Sequence, residues 1–277
     1  MATRLPALAR SRLPPEQRLR LDDLRIADAG HGYDAFGLHA DGVALGLALT
    51  RFVYERWFRV DSRGIENIPR AGAAILAANH SGTLPFDAAM IWADVARRTN
   101  PPRVVRPVMD HFVGELPLVG TLFTRLGGIG GSRGNMRVML ESGELLLVFP
   151  EGTGGIGKPF RERYRLQEWR VGHAELAIRY GVPIVPVAVV GAEEQLPQLA
   201  KLPLRLFGAP YLPVPATLLP LPVRYHILYG PPIAVAERWS PDQADDPAVT
   251  ATAARAVRDA VEALLTEGLR TRAGVFA

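Results

Sequence analysis

Residues Asn79–Asp87 read NHSGTLPFD, entered from the apolar run Ala73–Ala78 and left through the helix-like run Ala88–Arg97. The first run reads as a buried strand and the second as a helix. His80 therefore falls where a strand ends, and Asp87 falls in the first turn of the next helix. Open α/β sheets keep their chemistry in the loops at the carboxyl ends of their strands. Histidine is the side chain that titrates near neutrality, and a carboxylate on one ring nitrogen fixes which nitrogen carries the proton. A structural reading stands beside this one. The helix dipole favours aspartate in a first turn for its own sake, and Pro85 is at ease there.

Composition narrows the classes. The chain has 277 residues, 48% of them hydrophobic, a net charge of +4 and no cysteine. That length holds one large or two small domains with a sizeable core. Without cysteine there is no disulfide, thiolate nucleophile, iron–sulfur cluster or cysteine-bound zinc, which suits a reducing compartment. The mild basic excess suits anionic lipid, a phosphorylated substrate or nucleic acid. No aromatic–basic RNA motif accompanies it, so nucleic acid ranks last.

Three segments follow from the pattern. Residues 1–35 read as a basic, flexible tail, with Arg4, Arg10, Arg12, Arg18 and Arg20 and no apolar core of a secretory leader. Such charge would add electrostatic attraction to a membrane. Residues 36–62 read as an amphipathic helical segment. Within it Gly42–Phe58, GVALGLALTRFVYERWF, is interrupted by Arg51, Glu55 and Arg56, and it falls short of the roughly 20 apolar residues of a spanning helix. As a helix it gathers Val43, Leu47, Phe52, Tyr54 and Phe58 on a broad apolar side, with Trp57 as an interfacial anchor. A core helix and a membrane-surface helix both fit. Residues 63–277 read as the main domain, entered through a short strand and turn in Arg59–Pro69.

Further strands are expected in Val104–Met109, in Glu144–Pro150 and in Val182–Gly191, with a last one in Val223–Leu228. Asp110 and His111, adjacent after the first of these, read as structural, or at most as support from behind a site. Gly127–Asn135, GGIGGSRGN, offers backbone N–H groups and Arg133 to a phosphate, or is simply a flexible turn before a helix at Met136. It also contains a literal G-x-S-x-G around Ser132, but a helix and a glycine turn precede it where a nucleophile elbow needs a strand. The strand ending at Pro150 runs into Glu151–Thr153, then into the glycine-rich Gly154–Gly157. The basic run Lys158, Arg161, Arg163, Arg165 and Arg170 follows, against Glu162 and Glu168; such runs are usually solvated faces, but its place after a strand-end loop suits a phosphate-bearing group. A helix is expected over Gly172–Tyr180, and a C-terminal one from Asp242. Between them Gln195–Ala236 is rich in proline and leucine and contains no acidic residue, which suits either loops packed on the core or, the favoured reading, a partly exposed apolar patch.

NHSGTLPFD, FPEGT and VPIVPVAVVG, in that order, resemble the motifs of the glycerophospholipid acyltransferases, the lysophosphatidate-acyltransferase-like superfamily. The stretch around Arg133 falls where that family carries its second motif, and the resemblance runs over about Arg59–Leu228. It implies an α/β fold with a central, mostly parallel or mixed sheet flanked by helices, tied to the membrane by N-terminal helices or apolar surface. Residues 63–277 become the catalytic domain. Two departures stand out. The family separates its histidine and aspartate by four residues; here six intervene, with Gly82 to ease the turn and Pro85 at the expected aspartate position. Gly154 stands where the family often has arginine after FPEGT.

The resemblance implies roles. His80 acts as general base on an acceptor hydroxyl and Asp87 orients its ring. The activated oxygen attacks an acyl thioester, carried by coenzyme A or by acyl carrier protein. Arg133 holds an acceptor phosphate, and Glu151, Gly152 and Thr153 hold the acceptor, with Glu151 on a hydroxyl or a cation. The lipid acceptor is drawn from a membrane surface, at its cytoplasmic face, and no cofactor or metal is required. Two rivals remain: a serine esterase using Ser132, and a non-catalytic membrane-binding protein that has no use for His80.

Overall fold

The computed structural model describes residues 4–81, 84–110, 113–114, 118–202 and 212–277. Its strands are β1 (Asp61–Arg63), β2 (Ala74–Ala78), β3 (Val105–Met109), β4 (Ile129–Gly130), β5 (Leu145–Val148), β6 (Ile184–Val190), β7 (Gln198–Leu202), β8 (Leu212–Pro215) and β9 (His226–Tyr229). Seven of these form one sheet in the order β1-β9-β6-β2-β5-β3-β4, while β7 and β8 pair as a separate ribbon. From β6 to β4 every pairing is parallel. β9 lies antiparallel to β6, and β1 parallel to β9, so the sheet is mixed as expected.

The principal helices are α1 (Arg4–Arg12), α2 (Pro15–Asp22), α3 (Ala40–Phe52), α4 (Phe86–Arg98), α5 (Val119–Arg125), α6 (Arg133–Glu141), α7 (Gly172–Tyr180) and α8 (Pro247–Thr271). They cover both faces of the sheet, which is why its central strands are continuous apolar runs. Alternate residues serve alternate faces. Leu76, Ala78, Leu147 and Val187 pack with Val43 and Leu47 of α3 and with Met90 and Ile91 of α4. Ile75, Ala77, Leu146 and Ala188 pack with Leu176 and Ile178 of α7 and with Val257 and Val261 of α8. β2 lies at the centre, between β5 and β6, with all five residues buried.

Several expectations need correcting. The basic segment 1–35 is not a flexible tail throughout: α1 and α2 occupy most of its first two-thirds. Leu13 and Leu21 are buried in the core beneath α3. Arg20 donates to the carbonyls of Ala96 and Thr99 at the end of α4, where a cation satisfies carbonyls the helix leaves open. Leu24 and Ile26 pack against the same core beside these two leucines, so the stretch docks through apolar residues interleaved with its arginines. α3 is a core helix on one side, with Val43, Ala44 and Leu47 buried, while Leu49 and Phe52 are exposed on another. Tyr54 packs against the core as expected and in addition donates its hydroxyl to the buried Asp94 at 2.5 Å. α6 begins at Arg133, not Met136, because Ser132 caps it by accepting the N–H of Asn135. α8 begins at Pro247, not Asp242, because Asp246 accepts the N–H groups of Ala248 and Val249. No helix among the described residues is long and apolar enough to cross a membrane.

Candidate active site

The parallel strands β2, β5, β3 and β4 end at one edge of the sheet, and the motif residues gather there. At the end of β2 the buried Asn79 locks the strand to β6: its Oδ1 accepts the N–H of Val189 at 2.8 Å and its amide donates to the Val189 carbonyl at 3.1 Å. His80 follows directly. Its ring stacks on Phe149 from the end of β5, with centroids 4.1 Å apart and planes 23° apart. Its side chain keeps 12% exposure.

His80 Nδ1 lies 2.7 Å from Asp87 Oδ2. Asp87, in the first turn of α4, is fully buried. The same Oδ2 accepts the N–H of Ser81 at 2.9 Å, and Oδ1 accepts that of Ala88 at 2.7 Å. With a carboxylate as its acceptor Nδ1 is the donor, so the proton sits there and Nε2 carries the lone pair. No hydrogen bond to Nε2 is formed among the described residues. The chain therefore closes the longer His–Asp loop without losing the contact; residues 82–83, and with them the turn at Gly82, lie outside the described residues.

The loop after β5 braces the histidine from behind. Glu151 is buried, and both its oxygens are engaged inside the protein. Oε1 accepts the N–H of His80 at 3.0 Å; Oε2 accepts that of Gln167 at 2.8 Å and lies 3.3 Å from Lys158 Nζ. These contacts make Glu151 a brace between the backbone of His80, the backbone of Gln167 and the ammonium of Lys158. Gly152 adopts the left-handed region, φ 54°, with the exposed Arg170 guanidinium over it, 3.1 Å from where a Cβ would stand. Thr153 opens a single helical turn, Thr153–Ile156; its side chain lies outside the described residues. Gly155 was not singled out from the sequence, yet a Cβ there would fall 2.9 Å from His80 Cβ and 3.0 Å from the His80 carbonyl oxygen. The glycine run was legible as a loop, but nothing in it said which glycine meets the histidine.

The basic run divides. Lys158 is buried among carboxylates, while Arg161 is 83% exposed beside Glu162. Arg133, at the start of α6, stands at the same sheet edge as His80. Three strand spacings separate their strands, about 14 Å. Its side chain is 77% exposed and pairs with Glu175 of α7 at 2.7 Å. Ser132 serves as the cap of α6, and no histidine among the described residues bonds it. Asp110 is exposed, and His111 lies outside the described residues.

The family model "Acyltransferase" matches residues 59–190. An uncharacterized protein of Mycobacterium tuberculosis is 40% identical over 258 residues, 89% of this chain and 72% of that protein. The bovine "DGAT1/2-independent enzyme synthesizing storage lipids" is 30% identical over 224 residues, 77% of this chain and 61% of that protein. The crystal structure of the 1-acyl-sn-glycerophosphate (LPA) acyltransferase PlsC from Thermotoga maritima matches with a TM-score of 0.57 at 18% identity, covering 84% of this chain and 83% of that one. At that identity the likeness is one of fold. The ordered motifs, the family model and the shared fold agree: the chain belongs to the glycerophospholipid acyltransferase superfamily.

Proposed function

We propose that the protein moves a fatty acyl group from an acyl thioester to a hydroxyl of a glycerophospholipid precursor or related lipid, with His80 as general base. The observation that carries this reading is the 2.7 Å contact between His80 Nδ1 and the buried Asp87 carboxylate, which leaves Nε2 as the basic nitrogen. Nε2 takes the proton of the acceptor hydroxyl as its oxygen attacks the thioester carbonyl. The tetrahedral intermediate collapses with cleavage of the C–S bond, and the imidazolium returns the proton to the leaving thiolate. Asp87 stabilises the imidazolium between these steps. The donor is acyl-CoA or an acylated carrier protein. Arg133 takes a phosphate of the acceptor, and the turn at Gly152 and Thr153 lines the acceptor's place, with Glu151 supporting it from behind.

The protein works from the membrane surface, on its cytoplasmic side. The exposed Phe52 contacts the Trp57 ring, 6.2 Å between centroids, and Trp57 Nε1 donates to the carbonyl of Pro220 at 3.2 Å. Leu218 and Leu219, 98% and 74% exposed, lie just before Pro220 in the chain. An apolar surface of this kind, close to the basic α1, suits insertion among lipid headgroups.

The test is direct. Purified protein is incubated with acyl-CoA and a panel of lysophospholipid and glycerol phosphate acceptors on vesicles, and products are read by mass spectrometry. The reading expects a new ester whose formation needs both donor and acceptor. Release of free fatty acid with labelling of Ser132 by a fluorophosphonate would replace it with the esterase reading. No product from any acceptor, with vesicle binding intact, would leave a membrane-binding protein.

A further inference from the structure

Behind the site loop Lys158 is enclosed, its side chain 3% exposed. Its Nζ lies 3.0 Å from Glu193 Oε1 and 3.3 Å from Glu151 Oε2, and donates to the Arg165 carbonyl at 3.3 Å. The ammonium donates to Glu193 and to the Arg165 carbonyl, and stands in salt-bridge contact with Glu151. Each carboxylate passes the contact on. Glu151 Oε1 accepts the His80 N–H at 3.0 Å, while Glu193 Oε2 accepts the N–H of Tyr164 at 3.0 Å. Glu194, next in the chain, turns instead to Arg272, with contacts of 2.5 and 2.9 Å. Among the described residues Lys158 is therefore the one cation in salt-bridge contact with both buried acids. Two buried carboxylates that share a site and lose their cation repel each other and seek protons or water.

We propose that Lys158 is a positioning residue for acyl transfer: it holds the Glu151 carboxylate against the backbone N–H of His80, and so fixes the height of the imidazole at the end of β2. The inference rests on the reading of His80 as general base. It sets Lys158 apart from the arginines of the same basic run, which are exposed. The path from Glu193 through Lys158 and Glu151 to His80 is built entirely of contacts at or below 3.3 Å.

Lys158→Met in the full chain tests it, with two readouts. In steady-state acyl transfer kcat is expected to fall about tenfold or more, because small misplacements of a reacting group cost that much, with KM changed less than about twofold. In the ¹⁵N–¹H spectrum the His80 amide resonance, set by its carboxylate acceptor, is expected to move. Lys158→Met/Glu193→Gln removes the repelling neighbour along with the cation. It is expected to recover at least about threefold of the lost kcat and to bring the amide resonance back toward its wild-type position, as relief of like-charge repulsion requires. If Lys158→Met does not fold, the double variant carries the test alone, with wild type as its reference: a His80 amide still displaced and a kcat still below wild type are expected, and both at their wild-type values would overturn the proposal. An unmoved His80 amide together with an unchanged kcat in Lys158→Met would overturn the proposal, as would a loss confined to KM. The resonance is read without turnover. A wild-type protein that transfers no acyl group therefore defeats the catalytic reading, while the amide still decides whether Lys158 sets the Glu151–His80 contact.

Discussion

Gly155 occupies a place where any side chain meets His80, since a Cβ there would lie 2.9 Å from His80 Cβ and 3.0 Å from Glu151 Cβ. Gly155→Ala should lower kcat about tenfold or more by pushing the histidine off its line, with a cooperative melt retained; steady-state rates beside a thermal melt check it, and a wild-type kcat would contradict it. Arg133 offers a second test at this scale. If its guanidinium leaves Glu175 for an acceptor phosphate, Arg133→Ala loses a charge-assisted hydrogen bond, and KM for a phosphorylated acceptor should rise about tenfold or more. An unchanged KM would leave Arg133 as a partner of Glu175 alone. His80 and Asp87 could be picked out from the sequence because a strand end and a helix start are marked by local patterning. The inward aim of Glu151 and the burial of Lys158 could not. Which way a side chain turns after a tight loop is settled by neighbours distant in the chain, here Gln167 and Glu193.

α7 carries a buried histidine whose position makes the helix sensitive to acid. His173 bonds the Arg170 carbonyl through Nδ1 at 2.9 Å and meets Trp169 edge-on, with centroids 5.6 Å apart. Burial pushes its imidazole down to about 4, against a smaller opposing effect of that hydrogen bond. The folded group thus takes its proton later than the unfolded one, which titrates near 6.5. Its contribution to stability is present above about pH 6.5 and is lost as pH falls toward 4, by about 3 kcal/mol in all. Urea unfolding at pH 7 and pH 4.5 should show a smaller acid loss in His173→Phe than in wild type; equal losses would contradict the assignment. The helix itself was readable, Gly172 to Tyr180, from apolar spacing and a closing glycine. The starts of α6 and α8 were not, because each is decided by one capping side chain. The docking of α1 and α2 depends on partners, Leu13 and Leu21 against the α3 side, that no local pattern announces.

At the scale of the molecule, the α/β class and the gathering of motifs at one sheet edge followed from apolar runs ending in polar loops. The strand order did not. The insertion of β9 between β1 and β6, antiparallel to β6, depends on pairings between distant segments, and both kinds of pairing suit the same apolar run. The apolar stretch without acids proved to be mixed. Val223, Tyr225 and Ile227 are buried while Leu218 and Leu219 are exposed, and residues 203–211 lie outside the described residues. Phe52→Ser/Leu218→Ser/Leu219→Ser removes the exposed anchors without touching the core. Large apolar side chains gain about 1.5–3 kcal/mol each when fully buried, so even partial insertion makes at least a tenfold loss in binding to anionic vesicles the expected result. Flotation with the wild-type fraction bound would place the docking surface elsewhere.

In the proposed mechanism His80 and Asp87 work as one unit on the acceptor proton. A double-mutant cycle of His80→Ala and Asp87→Asn, read as kcat/KM for acyl transfer with folding checked by melting, decides whether they do. A loss of about 10²–10⁴-fold is expected for His80→Ala, a strong loss for Asp87→Asn, and a double variant little worse than the worse single. Survival of activity in Asp87→Asn, with only the 0.3–1 kcal/mol or so that a first-turn carboxylate lends a helix missing from its stability, would contradict it.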